Sequence, residues 1–163
     1  MNMIDISPYP NIRPITAVDL SSDNFFAEHE QMLEGILGKG HGLKAAGFDV
    51  LDYAPIAAGI CLIDVERSPE RFRYRFIGSD IATLYGKDHT GQYVDAIADE
   101  LGSSYDETLA LLHAISHDHL TLRHSTTFDF VGRGHVRVEA IDFPMYDDAG
   151  LVTQILCVVM FDQ

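Results

Sequence analysis

The chain reads as an α+β domain of five strands with a helical N-terminal extension, and three observations carry that reading. Between Arg71 and Ile77, basic and aromatic residues alternate with period two, which is a strand signature. That run passes through Gly78 and Ser79 into a short helical pattern stopped by Gly86. The order along the chain is then helix, two strands, several short helices, three strands.

Taken in order, residues 1–20 form an extended arm punctuated by prolines. Ser22 or Asp23 is placed to cap a helix in which Phe25, Phe26, His29, Met32, Leu33, Ile36 and Leu37 recur at helical spacing, with Gly38 and Gly40 as the stop. The apolar stripe of this helix needs burial. Residues 40–55 are a connection with room for a helical turn.

From Ile56 the pattern changes to strands. Ile60 to Glu66 and Arg71 to Ile77 flank the turn Arg67-Ser68-Pro69-Glu70, and the register of this hairpin follows from matching its faces. Glu66 opposes Arg71, Asp64 opposes Arg73 and Leu62 opposes Arg75. On the other face Val65 meets Phe72, Ile63 meets Tyr74 and Cys61 meets Phe76. Two charge-complementary pairs, each contributing a few tenths to about 1 kcal/mol, share one face; the other is apolar and aromatic. Arg75 is left without an acidic partner.

Ser104-Tyr105-Asp106-Glu107 has capping-box spacing and opens a helix through Leu109, Leu112, His113 and His117. Residues 126–131 and 135–142 read as strands about a turn at Gly132-Arg133-Gly134. After the turn Asp147-Asp148-Ala149-Gly150, Leu151 to Phe161 forms a strand apolar on both faces, hence central and covered on both sides.

Composition bounds the function. With 163 residues, 47% of them hydrophobic, the chain can build one domain with a real core. Its formal charge of −14 opposes nucleic acid and anionic membrane surfaces, so neither is expected as a partner. The basic cluster from Arg67 to Arg75 reads as paired with its acidic neighbours. No apolar run reaches membrane-spanning length, and no basic region precedes an apolar stretch at the N-terminus, so a cytoplasmic protein is expected. Cys61 and Cys157, each inside an apolar run, read as reduced structural thiols.

The strand pair 61–78, Ser79-Asp80-Ile81-Ala82, Tyr85-Gly86-Lys87-Asp88-His89-Thr90-Gly91, and the late run 136–162 together resemble the PAS sensor domain. More narrowly they resemble a bacterial PAS-like subfamily with a helical N-terminal extension. The resemblance covers residues 56–163 as the PAS-like domain and leaves 1–55 as arm and extension. It implies a five-stranded antiparallel sheet in the order 2-1-5-4-3, helices on one face, and a pocket between them. It also implies sensing or signalling through a small ligand or protein–protein contact, with a homodimer and a separate signalling protein as partners. The sequence stops where the last strand ends, so output is expected through another chain or self-association.

Pocket residues follow from parity and position: Tyr74 and Phe76 on strand two, Leu84 and Tyr85 ending the next helix, Tyr93, Phe128 and Phe130 on strand three, and Gln154 on strand five. A packed aromatic core without a cavity accounts for the same residues. His113 and His117, four apart on one helix, could face one metal ion, with Asp118 or His119 as third ligand. His119 and His124 complete a polar group at that helix end, which the helix macrodipole explains without a metal, so no metal site is assigned. Haem would need one of these histidines in an apolar pocket, and the flavin photochemistry of light-sensing relatives needs a cysteine on the helix after strand two; neither cofactor is supported.

The chemistry-bearing side chains of an enzyme would be Asp80, Asp88, His89, Tyr93 and Asp142. A carboxylate and a tyrosine over an apolar cavity suit proton abstraction, as in an isomerase-like α+β domain. Local roles explain them more simply: Asp80 or Ser79 as a helix cap, Asp88 and Thr90 in turns. No catalytic constellation emerges, and an enzyme is not expected. Strand order and the base of any cavity discriminate the two readings.

Overall fold

The computed structural model describes residues 3–15, 19–20, 25–128 and 132–162. Six strands form one antiparallel sheet: β1 (Ile12–Pro14), β2 (Ile60–Glu66), β3 (Arg71–Ile77), β4 (Leu122–Phe128), β5 (Arg133–Tyr146) and β6 (Val152–Asp162). Their order is β1-β4-β5-β6-β2-β3. The five strands expected from sequence therefore stand in the expected order, 2-1-5-4-3 in their own count, and the fold is PAS-like. The sixth strand comes from the proline-rich arm: Ile12 pairs with His124 and Pro14 with Leu122. A proline is tolerated here because β1 is an edge strand.

Among the described residues, the helices that accompany the sheet include α1 (Glu30–Lys39), α2 (Ser79–Tyr85), α3 (Ala98–Leu101) and α4 (Tyr105–Asp118), with a 3-10 segment, Val50–Gly59, leading into β2. Alternation in β2 and β3 sends Ile63, Val65, Phe72 and Tyr74 to a core shared with Ile81, Ile97, Leu112 and Ile115. The opposite face carries Leu62, Phe143, Met145 and Leu156, covered by Phe26, Leu33, Ile36 and Ile56. The stripe on α1 is thus buried on the sheet of its own chain.

The hairpin register holds for Glu66↔Arg71, Val65↔Phe72, Asp64↔Arg73 and Ile63↔Tyr74. Beyond these the expected pairs fail. A bulge at Arg75 shifts the ladder, so Leu62 faces Phe76 and Cys61 faces Ile77. The side chains also re-partner. Arg71 forms a two-pronged pair with Asp95 at 2.7 and 2.9 Å, while Glu66 accepts from the Tyr93 hydroxyl at 2.9 Å. Arg75, expected to lack an acidic partner, donates to Asp64 Oδ1 at 2.8 Å.

Two helix starts differ from expectation. The box at Ser104 does not form: Ser104 is helical in backbone and makes no side-chain cap bond, because a 3-10 turn, Gly102–Ser104, runs straight into α4. Neither Ser79 nor Asp80 caps α2; Gly78 holds that position. A Cβ on Gly78 would sit 2.3 Å from the Ala58 carbonyl oxygen, so close backbone approach demands glycine there. The expected cap at Ser22 or Asp23 lies outside the described residues, and the first helical turn there is the 3-10 segment Ala27–His29. Among the described residues no helix is long and apolar enough to cross a membrane.

Candidate functional site

Between the sheet and α2–α4 lies a cavity of about 120 Å³. Its volume is a little below that of an engineered apolar cavity, about 150 Å³, that takes up benzene. Most of its wall is apolar and aromatic, with Cys61, Ile63, Tyr74, Ile77, Ile81 and Tyr85 contributed by β2, β3 and α2. A smaller polar patch completes it: Glu107 and Thr108 from α4, His124 and Thr126 from β4, Asp142 from β5.

The polar patch follows from alternation. In β4, His124 and Thr126 face the cavity, while Arg123 and Ser125 point to the opposite face. There Arg123 Nη2 lies 3.3 Å from Glu139 Oε2, and its guanidinium covers Phe26 at 4.8 Å. Ser125 donates to the same Glu139 carboxylate at 2.7 Å. The ladder places Leu122 opposite Asp142 and His124 opposite Ala140, a diagonal that lets the His124 ring reach the Asp142 carboxylate.

His124 Nδ1 and Asp142 Oδ2 are 2.7 Å apart. Asp142 is 1% exposed. Its second oxygen, Oδ1, has no hydrogen-bond partner among the described residues. The adjoining Cys157 thiol is pushed well up by its hydrogen bond with Cys61, by burial, and by the charge of Asp142 and a hydrogen bond to it, but a thiol is a weak donor that leaves the carboxylate poorly satisfied. A buried carboxylate oxygen left in this state is costly, on the order of 1–3 kcal/mol, and marks a place where a donor is wanted. At His124, burial pulls the pKa down, but the charge and hydrogen bond of Asp142, with Glu107 and Glu139 behind, outweigh it and the net shift is upward. With Nδ1 held by the carboxylate, Nε2 is the ring nitrogen left for a ligand.

On the aromatic side, burial first, then the charges of neighbouring groups, push the Tyr74 phenol well above its ordinary range. Burial likewise raises Tyr85. Both present neutral phenols. Of the residues expected in the pocket, Tyr74 and Tyr85 line it. Phe76 does not, because the bulge at Arg75 turns it to the α1 face. Leu84 packs with Val136 and Val138 beside the cavity. Tyr93 lies outside it, under the Arg71 guanidinium at 3.6 Å and bonded to Glu66. Gln154 is on the opposite face, donating to Asp64 at 2.9 Å. The Phe128 side chain and Phe130 lie outside the described residues.

Of the five chemistry-bearing candidates, Asp142 alone reaches the cavity. Asp88 accepts from the Thr90 amide and hydroxyl at 2.9 and 2.6 Å, a local turn. Asp80 is exposed on the first turn of α2. His89 is a buried prop: Nδ1 lies 2.8 Å from Gln92 Oε1, Nε2 lies 3.2 Å from Glu100 Oε2, and its ring meets Tyr85 edge-on. Sequence reasoning missed His124 by grouping it with the helix-end histidines. The signal that could have found it was parity, since His124 and Thr126 alternate with Arg123 and Ser125.

The helix-end histidines separate in space. His113 and His117 both contact Glu70 Oε1, His117 at 2.9 Å. Asp118 instead accepts from the Ile4 amide at 2.8 Å, and His119 packs edge-on to Tyr146, so neither joins His113 and His117.

No protein-family model matches the chain, and no curated protein matches it. Among solved structures, an RNA-binding light-oxygen-voltage receptor superposes with a TM-score of 0.45 at 14% identity, over 91% of this chain. The chain spans 37% of that receptor's length.

Proposed function

We propose that the domain is a sensory module that binds a one-ring ligand carrying an N–H or O–H donor in the cavity between the sheet and α4. The observation that carries this reading is the unpartnered Oδ1 of the buried Asp142 on the cavity wall. A ligand donor there would satisfy the orphaned oxygen, while Tyr74 and the apolar wall would take the ring face. His124, held by Asp142, would supply a second contact.

A thermal-melt panel tests this with imidazole, phenol and benzene. Imidazole or phenol should raise the melting temperature in a concentration-dependent way, benzene less. Ala140→Leu fills the cavity from its β5 wall and should abolish the shift without unfolding the chain. Equal shifts in wild type and Ala140→Leu would place binding elsewhere and sink the reading.

The same dyad favours a second reading, an isomerase-like enzyme in which His124 moves a proton. It needs an enolisable substrate in the cavity. Deuterium uptake at the α-carbon of a one-ring enone, lost in Asp142→Asn, would support it; uptake no faster than in buffer would remove it. Strand order 2-1-5-4-3 favours the sensory reading.

A further inference from the structure

Outside the cavity, the β2–β3 turn delivers Glu70 onto one face of α4, where His113 and His117 stand one turn apart. One donor atom from each of the three lies within 4.8 Å of the others. We propose that Glu70, His113 and His117 form a binding site for a divalent transition-metal ion, with zinc the ion this donor set suits.

Two imidazole nitrogens and one carboxylate oxygen are a known zinc donor set, and three protein ligands leave the fourth position to water or another ligand. Zinc bonds of about 2.0–2.1 Å put tetrahedral ligand atoms roughly 3.3 Å apart, and the three donor atoms here already lie within 4.8 Å of one another. Without an ion, the two imidazoles converge on a single carboxylate oxygen, so the three groups are already gathered on one point. The surroundings restrict them further. The His113 ring packs edge-on to the buried Phe72 at 5.2 Å, and Glu70 is only 18% exposed. His117 is 42% exposed, which gives an ion a way in from solvent. The residue spacing on α4 supplies two ligands and the tight turn after β2 supplies the third, so the site exists only in the folded chain. An ion there would tie the hairpin to the helix and stabilise the fold as its concentration rises.

Calorimetric titration of zinc into the untagged, chelator-treated full chain tests the proposal. The expected result is one zinc per chain, with affinity lowered at least about 100-fold in both Glu70→Gln and His117→Ala. His135→Ala, at an exposed position on β5, should bind as wild type does. Glu70→Gln keeps an acceptor oxygen for both imidazoles while removing the charge, so it holds the contact with α4 if His117→Ala perturbs folding. Absence of one-to-one binding in wild type, or equal affinity in wild type and Glu70→Gln, overturns the proposal.

Discussion

At the scale of the residue, the molecule concentrates its unresolved chemistry on Asp142. One of its oxygens is occupied by His124, and the other is buried without a strong hydrogen-bond donor among the described residues. The pairing makes a pH prediction whose sign can be worked out. The His124 pKa is raised above its unfolded value of about 6.5, so the folded state holds that proton more tightly. The resulting stabilisation is fully present below pH 6.5 and is lost as pH rises through the folded pKa. Urea melts across that window should show wild-type stability falling with pH, and His124→Gln should flatten that part of the slope. An unchanged slope in the variant would mean that the dyad is not linked to folding. The cysteines make a second prediction. Cys61 and Cys157 are buried cross-strand neighbours, and the Cys157 thiol is shifted upward, away from thiolate. A thiol reagent should therefore label the native chain far more slowly than the urea-unfolded chain, with ultraviolet absorbance as the readout.

At the scale of the element, the β2–β3 hairpin shows what a sequence can and cannot specify. Four cross-strand pairs were legible because each face had its own chemistry: acid against arginine on one, aliphatic against aromatic on the other. The bulge was not legible. A long arginine at position 75 fits either face of a strand, so nothing in the pattern announces the extra residue that sends Phe76 to the α1 side. The faces that did hold make a direct comparison. Phe72 is 3% exposed, whereas the Arg73 side chain is 40% exposed and lies 3.7 Å from Asp64. Phe72→Asp should unfold the chain or cost more than about 3 kcal/mol, and Arg73→Ala less than about 1 kcal/mol, by urea melts. Comparable losses would contradict the assigned faces. The junction between β3 and α2 gives a further check. Gly78→Ala would drive a methyl group into the Ala58 carbonyl and should cost about 1–3 kcal/mol in the same assay.

At the scale of the whole molecule, one sheet is buried on both faces by parts of the same chain. The five main strands could be read because each carried period-two patterning or an apolar run, whereas their order was expected only from the resemblance. The edge strand β1 could not, since three residues containing a proline carry too little pattern, and its hydrogen-bonded partner lies more than a hundred residues away. The cavity was half legible. Its aromatic wall followed from the parity of β3, while its polar wall depends on His124 and Asp142 meeting across two strands, which pairing in space decides. The N-terminal extension is a working part of the fold by the same reasoning. Leu33 on α1 is fully buried against the sheet. Leu33→Ala should cost about 2–5 kcal/mol by urea melt; a loss under 1 kcal/mol would mean that α1 does not dock as described.

The claim on which this account turns is a ligand-accessible cavity with Asp142 at its polar wall. The most direct measurement is a ¹H–¹⁵N correlation spectrum of the labelled full chain titrated with phenol. The account predicts saturable shifts confined to amides around the cavity, at residues 108–112, 124–126 and 140–142, with the spectrum of Ala140→Leu unresponsive. Shifts scattered over the surface, or none at saturating phenol, would contradict it.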